Sequence, residues 1–285
     1  MKKLSLFVVA TLLMLTQVWA QLETPQPSPL STTSQKVGLA DVTVEYSRPS
    51  MRGREVMGAL VPYNELWRTG ANRATKVTFS DEMSVAGNQV PAGDYALFSI
   101  PGEQEWTVIF NKNTDQGGTG SYQEAEDALR VKVPVTKTDN TYEAFTIDFS
   151  DLGQATANMN LMWENTKVVI PIEDPSVDQK VMAQIEEQMA NMGTDANANA
   201  NLYFQAANYY FMNDKDLEQA EEWIGQAVAG DDVKFWMKHL QAKIYAKQKE
   251  YDQAKEAAQQ SMELAKENGN QDYVRLNEEL LESMN

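Results

Sequence analysis

Between positions 48 and 76 the chain sets Arg48, Arg52, Arg54, Arg68, Arg73 and Lys76 within 29 residues, against only Glu55 and Glu65. A guanidinium offers a planar fork of donors that matches the oxygens of a carboxylate or phosphate, so such a run is suited to holding an anion. The formal charge of the whole chain is -17, which makes this local excess of cations stand out. Tyr63 and Trp67 add rings on which a sugar or planar group can stack, and Asn72 adds an amide in a Gly-Ala-Asn turn. The candidate ligand-binding residues are therefore Arg48, Arg52, Arg54, Tyr63, Trp67, Arg68 and Asn72. Glu164 joins them because it follows Trp163 directly and falls on the face opposite the apolar Met159, Leu161 and Trp163. A second reading makes the arginines internal: they pair with the domain's own carboxylates and fix the irregular Ser50 to Gly70 segment. Long segments without regular structure are uncommon in compact domains and often functional, which keeps the binding reading in play.

Other chemistry is restricted by composition. There is no cysteine and a single histidine, His239, so thiol chemistry, a His-based metal site and a Ser-His-Asp triad in the first half are excluded. No phosphate-binding glycine loop, dinucleotide fingerprint, nucleophile elbow or zinc-protease motif is present. His239 reads as a solvent-facing helix residue, and Asn113 to Gly120 (NTDQGGTG) as a mobile turn without the spaced ligands of a calcium loop. Paired carboxylates are the remaining acid-base route, and sequence alone does not pair them in space. No catalytic residue, cofactor or metal ligand is assigned.

The elements that must position these residues fall into two parts. The chain opens with Lys2 and Lys3, an apolar run from Leu4 to Leu15 and small residues at Val18 and Ala20, the pattern of a secretory signal too short to span a bilayer. Residues 21 to 34 (QLETPQPSPLSTTS) read as a flexible leader. From Gln35 the pattern turns to period two: Val42, Val44 and Tyr46, then Val77 and Phe79, then YALFSIP and EWTVIFNK as a hairpin. Ser121 and Glu124 have the spacing of a capping box for a short helix. Strands follow at Leu129 to Val135, Phe145 to Phe149, Ala157 to Trp163 and Lys167 to Ile170. Eight or nine short strands without long helices between them imply an antiparallel β-sandwich or open barrel over residues 35–172.

Residues 173–285 read as an all-α domain. Val177, Val181, Ile185 and Met189 recur at helical spacing, and a repeat follows. Ala220 and Ala254 are 34 residues apart in matching contexts, while Ala207 and Tyr210 match Ala242 and Tyr245 at 35. A period of 34 in paired helices is the mark of tetratricopeptide repeats. The second repeat is degenerate, with Lys238 and Gln241 where that pattern takes an aromatic residue and leucine. Tyr273, Leu276, Leu280 and Met284 form a capping helix. The acidic surface disfavours nucleic acid and anionic lipid as partners.

The blocks VGLADVTVEYSRPSMRGRE, LVPYNELWRTGANRATKVTFS, VPAGDYALFSIPGEQEWTVIFNK, YEAFTIDFSD and LMWENTKVVIPI resemble, in order, those of the bacterial family called domain of unknown function 2911. The resemblance runs from about Pro27 to Ile172 and takes in Arg48, Pro49, Arg52, Gly53, Trp67, Arg68, Gly70, Asn72 and Trp163. It implies an exported bacterial protein, sometimes followed by tetratricopeptide repeats, and no assigned activity.

The reading that results is an exported protein without catalysis, periplasmic or secreted. Its sheet domain binds an anionic or carbohydrate ligand, and its helical repeats dock a protein or peptide. A carboxylate-based glycan hydrolase of the cell envelope and a purely structural envelope protein are the alternatives. The mature chain is expected to begin at Gln21. Amino-terminal sequencing of exported protein checks this, and recovery of an intact Met1 form in membranes would contradict it.

Overall fold

The computed structural model describes residues 24–284. The expected signal segment, its cleavage site at Ala20 and the first leader residues lie outside the described residues. The chain divides into two compact units, one ending at Pro175 and the other beginning at Ser176.

The first unit holds nine strands: β1 (Leu30–Val37), β2 (Ala40–Ser47), β3 (Ala71–Phe79), β4 (Met83–Val85), β5 (Asn88–Val90), β6 (Gly93–Ile100), β7 (Glu105–Asn111), β8 (Asp127–Ser150) and β9 (Thr156–Glu173). They form one open antiparallel sheet in the order β1-β2-β3-β6-β7-β8-β9-β4-β5. The alternation in β2, with Val42, Val44 and Tyr46 buried between exposed Asp41 and Glu45, is that of a strand with one face on a core. β1 begins inside the stretch expected as leader. It lies at the edge of the sheet, paired with β2 from Leu30↔Ser47 to Val37↔Ala40. Ladder bonds hold it, and Ser, Thr and Gln suffice for its half-buried face, so no apolar period announces it.

The last four expected strands prove to be two long ones. Asp127 to Pro134 of β8 pairs with β7, and Val135 to Ser150 pairs with β9, so β8 carries the chain from one half of the sheet to the other. The register slips on the way: Lys137 faces Thr166, Tyr142 faces Glu164 and Thr146 faces Met162. β8 therefore bulges outward over 138–145, and Glu164 takes up the mismatch in β9 with a left-handed φ of 56°. Inward side chains of both halves meet in one core, with Phe79, Trp106, Phe110, Phe145 and Trp163 fully buried. The Tyr46 hydroxyl ties the halves together, donating to the Ile147 carbonyl (3.1 Å) and accepting from its N–H (2.8 Å).

A smaller cluster of Ala74, Ala96, Phe98 and Ile109 covers the other face of β3, β6 and β7, with Leu66, Ile100 and Tyr122 packed on it. The Asn113 to Gly120 turn is anchored rather than free. Gln116 is fully buried and donates to Asn111 Oδ1 (3.0 Å) and the Asn113 carbonyl (2.7 Å). One 3-10 turn, Glu124–Glu126, stands where a short helix is expected.

The second unit holds six helices: α1 (Val177–Ala190), α2 (Ala196–Met212), α3 (Leu217–Ala227), α4 (Phe235–Gln248), α5 (Tyr251–Glu267) and α6 (Gln271–Ser283). Asp195, Asp216 and Asn270 cap α2, α3 and α6 by accepting from first-turn N–H groups. Ala207, Ala220, Ala242 and Ala254 are all fully buried, as small residues must be where helices approach closely. On α6 Val274 and Asn277 are buried and the expected Tyr273 and Leu280 pack inward beside them, while Leu276 alone of the expected face is exposed, at 42%. A polar chain seats the buried Asn277: its Nδ2 donates to Ser261 Oγ (2.9 Å), and Ser261 Oγ to the Phe235 carbonyl (2.6 Å). His239 Nδ1 lies 2.8 Å from Asn277 Oδ1. His239 is thus half-buried in this network and not the solvent-facing residue expected.

Burial holds the His239 pKa below its ordinary value, a loss that the Asn277 hydrogen bond only partly offsets. The unfolded chain therefore takes up this proton at a higher pH than the folded one. The stability involved is present above the ordinary histidine pKa of about 6.5 and is lost as the pH falls through it. Thermal melts at about pH 7.5 and about pH 5.5 should show a larger drop for the wild type than for His239→Gln, since only the wild type carries this titration. Equal drops in both would remove His239 as the cause.

Candidate functional site

Residues 48–72 leave β2, cross the bulge of β8 and β9, and re-enter the sheet at β3. The segment is held open by backbone that few residues adopt: Arg52, Asn64, Thr69 and Asn72 all have left-handed φ, between 50° and 61°. Thr69 is the costliest because it is β-branched, and its buried hydroxyl bonds Ser99 Oγ at 2.9 Å. Gly58 (φ 87°) could not be replaced cheaply, since a Cβ there would lie 2.7 Å from the Tyr63 ring.

Three of the arginines meet at the bulge. Arg48 Nε donates to the Phe145 carbonyl (3.1 Å) and its NH2 group to Thr146 Oγ1 (2.7 Å). The Arg52 main-chain N–H bonds Glu143 Oε1 (2.9 Å), and its side chain reaches the Pro27 carbonyl (2.9 Å). Arg54 closes on its own loop, through the carbonyls of Met51 (2.9 Å) and Ser50 (2.8 Å). Asn72 joins this group by way of the Ser28 carbonyl (3.2 Å) and Ser47 Oγ (3.1 Å). Arg68 lies apart, on the Gly117 carbonyl at 3.0 Å, and Arg73 pairs with Asp115 in the same loop. Among the described residues, none of Arg48, Arg52, Arg54 and Arg68 has a carboxylate within the 4.0 Å of an ion pair. Carbonyl dipoles orient these guanidiniums and leave their charge uncancelled. Arg52 and Arg54 are exposed, whereas Arg48 and Arg68 are half-buried.

Trp67 is half-buried and packs against the core. Its ring stacks on Trp163 (5.9 Å between centroids) and meets Phe145 (5.1 Å) and Trp106 (5.9 Å) edge to face, while its Nε1 donates to the Gly70 carbonyl (3.2 Å). Glu164 turns its carboxylate under the loop, where Oε1 accepts from Val56 N–H (3.3 Å) and Oε2 from Met57 N–H (3.1 Å). Tyr63 is half-buried nearby. Its pKa is raised first by burial, then by the negative charges of Glu103, Glu164 and Glu55. The eight sequence candidates thus separate by location. Arg48, Arg52, Arg54 and Asn72 share one place, Tyr63 and Glu164 another, Arg68 a third, and Trp67 lies beneath.

Glu143 is the residue that sequence reasoning missed. Its side chain receives Arg52 N–H, and its carbonyl receives both Met51 N–H (2.8 Å) and Trp163 Nε1 (3.2 Å). Nothing in the sequence sets it apart from other strand carboxylates, because its role follows from the bulge.

Residues 28–172 match the model of a family described as Protein of unknown function (DUF2911). No curated protein and no solved structure matches the chain.

Because both Glu164 oxygens are engaged by main-chain donors, removing them leaves two N–H groups without acceptors. Glu164→Ala should cost about 1.5–3 kcal/mol, the usual worth of hydrogen bonds to a charged group, and Glu164→Gln less. Chemical denaturation gives the stability, and limited proteolysis should show new cleavage between Met51 and Tyr63. A variant with wild-type stability and an uncut loop would show that the carboxylate does not hold it.

Proposed function

We propose, for a chain that belongs to the family of proteins of unknown function DUF2911, that it is an exported binding protein whose sheet domain holds an anionic ligand on Arg52 and Arg54. One observation carries this reading: these guanidiniums are exposed, have no carboxylate partner among the described residues, and are already oriented by the Pro27, Ser50 and Met51 carbonyls. A guanidinium held by neutral carbonyls keeps its charge and its remaining N–H donors for a ligand. Arg48 bonds Thr146 of β8 and Asn72 bonds Ser47 of β2 nearby, and Arg68 supplies a separate cation near the Gly117 loop. Carboxylate and phosphate both suit the fork, so uronic acids and phosphosugars are the ligands to try. The Glu164 oxygens are taken up by the loop, which favours binding over hydrolysis here. Export rests on the Lys2 to Ala20 pattern, and its destination is the periplasm or the outside of the cell. The helix pairs α2/α3 and α4/α5, with their 34-residue spacing and buried alanines, support a tetratricopeptide-like unit that docks a protein or peptide segment.

Thermal melts with galacturonate and with glucose 6-phosphate test the sheet-domain site. The wild type should melt higher with at least one of them, and Arg52→Ala/Arg54→Ala should lose that shift. The double variant should stay near wild-type stability without ligand, since each exposed substitution changes it by about 0.5 kcal/mol or less. Arg48→Ala should instead destabilise the unliganded protein, because Arg48 bonds β8 directly. An unshifted wild type, or a double variant that keeps the shift, rejects the site.

A further inference from the structure

The two helix pairs depart from each other at one place. α2 and α4 are in register at 35 residues and α3 and α5 at 34, which matches Ala207 with Ala242, Tyr210 with Tyr245 and Ala220 with Ala254. In the first pair, Tyr203, Tyr210 and Trp223 pack on the helical core, and the Tyr210 and Trp223 rings meet edge to face at 4.6 Å. The same register sets Lys238 against Tyr203, Gln241 against Ala206 and Ala257 against Trp223. Where the first pair has an indole, the second has a methyl group. Beside Ala257 a cleft of about 190 Å³ is open, lined by Lys238, Gln241, Tyr245, Gln253, Glu256 and Gln260.

Two of the lining positions, Lys238 and Gln241, are polar where the first pair packs Tyr203 and Ala206, while Gln253, Glu256 and Gln260 repeat the polar residues Gln219, Glu222 and Gln226. Gln241 is only 7% exposed and accepts from Lys238 Nζ at 3.0 Å. Among the described residues, Lys238 has no carboxylate within 4.0 Å. Burial lowers its pKa, and the more distant charge of Glu256 opposes that only in part. Lys238 is a half-buried ammonium whose nearest carboxylate, Glu256, stands beyond ion-pair reach, so an arriving anion can offset part of its desolvation.

We propose that this cleft binds a single carboxylate, paired with Lys238 Nζ, on a ligand whose remainder is neutral or cationic. Gln253 Nε2 donates to Glu250 (3.0 Å) and Gln260 Nε2 to Glu256 (3.1 Å), which leaves each amide one N–H for the ligand's oxygens. Glu256, on the same wall, repels a second anionic group, so a peptide chain end or a free amino acid suits the cleft and a dicarboxylate does not. The site lies between the helices of one pair and is independent of the arginine face of the sheet domain.

Calorimetric titration of the full-length protein tests this with N-acetyl-Ala-Ala, its carboxamide, alanine and succinate at millimolar concentration. N-acetyl-Ala-Ala or alanine should bind, the first marking a chain end and the second a free amino acid, while the carboxamide and succinate should not. Lys238→Met should weaken binding by about tenfold or more, which is about 1.4 kcal/mol, without lowering the melting temperature. Ala257→Trp, which restores the indole of the first pair, should abolish binding, and Arg52→Ala/Arg54→Ala should leave it unchanged. If neither acid binds, if the carboxamide binds equally, or if Lys238→Met still binds as the wild type does, the proposal falls. Should Ala257→Trp fail to fold, Lys238→Met decides the matter alone.

Discussion

The sheet domain turns on the contact between Trp67 and the core. A residue in the middle of an irregular crossing stacks on Trp163 and meets Phe145 and Trp106 edge to face, so the loop is part of the hydrophobic core. Aromatic pairs of this kind contribute about 0.5–1.5 kcal/mol each beyond the area they bury. With no cysteine in the chain, burial of this sort must supply the stability that other small domains draw from disulfides. Once Trp67 is seated, Arg68 and Arg73 are turned towards the 115–117 loop, and the residues before it lie over the bulge. The positions of the cations follow from a contact that involves none of them.

The bulge makes the opposite wall. As β8 runs long against β9, Glu143 comes under Arg52 and Glu164 turns back beneath Val56 and Met57. A regular strand would send Glu164 to the face opposite the buried Trp163, away from the loop. Two irregularities, one in the sheet and one in the crossing, therefore fit each other. Main-chain groups do most of the joining, which is why the arginines remain electrostatically uncompensated in so acidic a protein.

The period-two runs made the β domain legible, and the 34-residue recurrence did the same for the paired helices that follow it. What stayed hidden has physical causes. β1 lacks an apolar face, so its Ser and Thr content reads as linker. TKTDNTY, at the bulge of β8, has turn composition and divides one strand into two on paper, because nothing local distinguishes a bulge from a turn. The arginines are legible as a cluster, but Arg48, Arg52 and Arg68 are held by carbonyls 25 to 97 residues away and Arg54 by carbonyls of its own loop, and any residue can supply a carbonyl. Trp67 reads as a stacking platform or as core from its type alone, and only its three ring neighbours decide between them. His239 reads as exposed because its buried partner, Asn277, is a polar residue of α6 that the apolar pattern does not mark.

Left-handed φ at a non-glycine residue costs about 1 kcal/mol or more, and persists only where the surroundings enforce it. Four such residues fall between 52 and 72, and a fifth, Glu164, lies directly beneath. Glycine would relieve each of them, and the chain does place glycine at 53, 58 and 70 in the same crossing. At Arg52, Asn72 and Glu164, however, the strained residue makes hydrogen bonds with its own side chain. Replacing any of them with glycine would remove the strain and the bond together. The crossing is thus shaped to hold particular side chains at particular angles, beyond what linking β2 to β3 requires. The strain at Arg52 and Asn72 is therefore gathered where the proposed anion site lies, and the side chains it holds there are the ones that glycine could not replace.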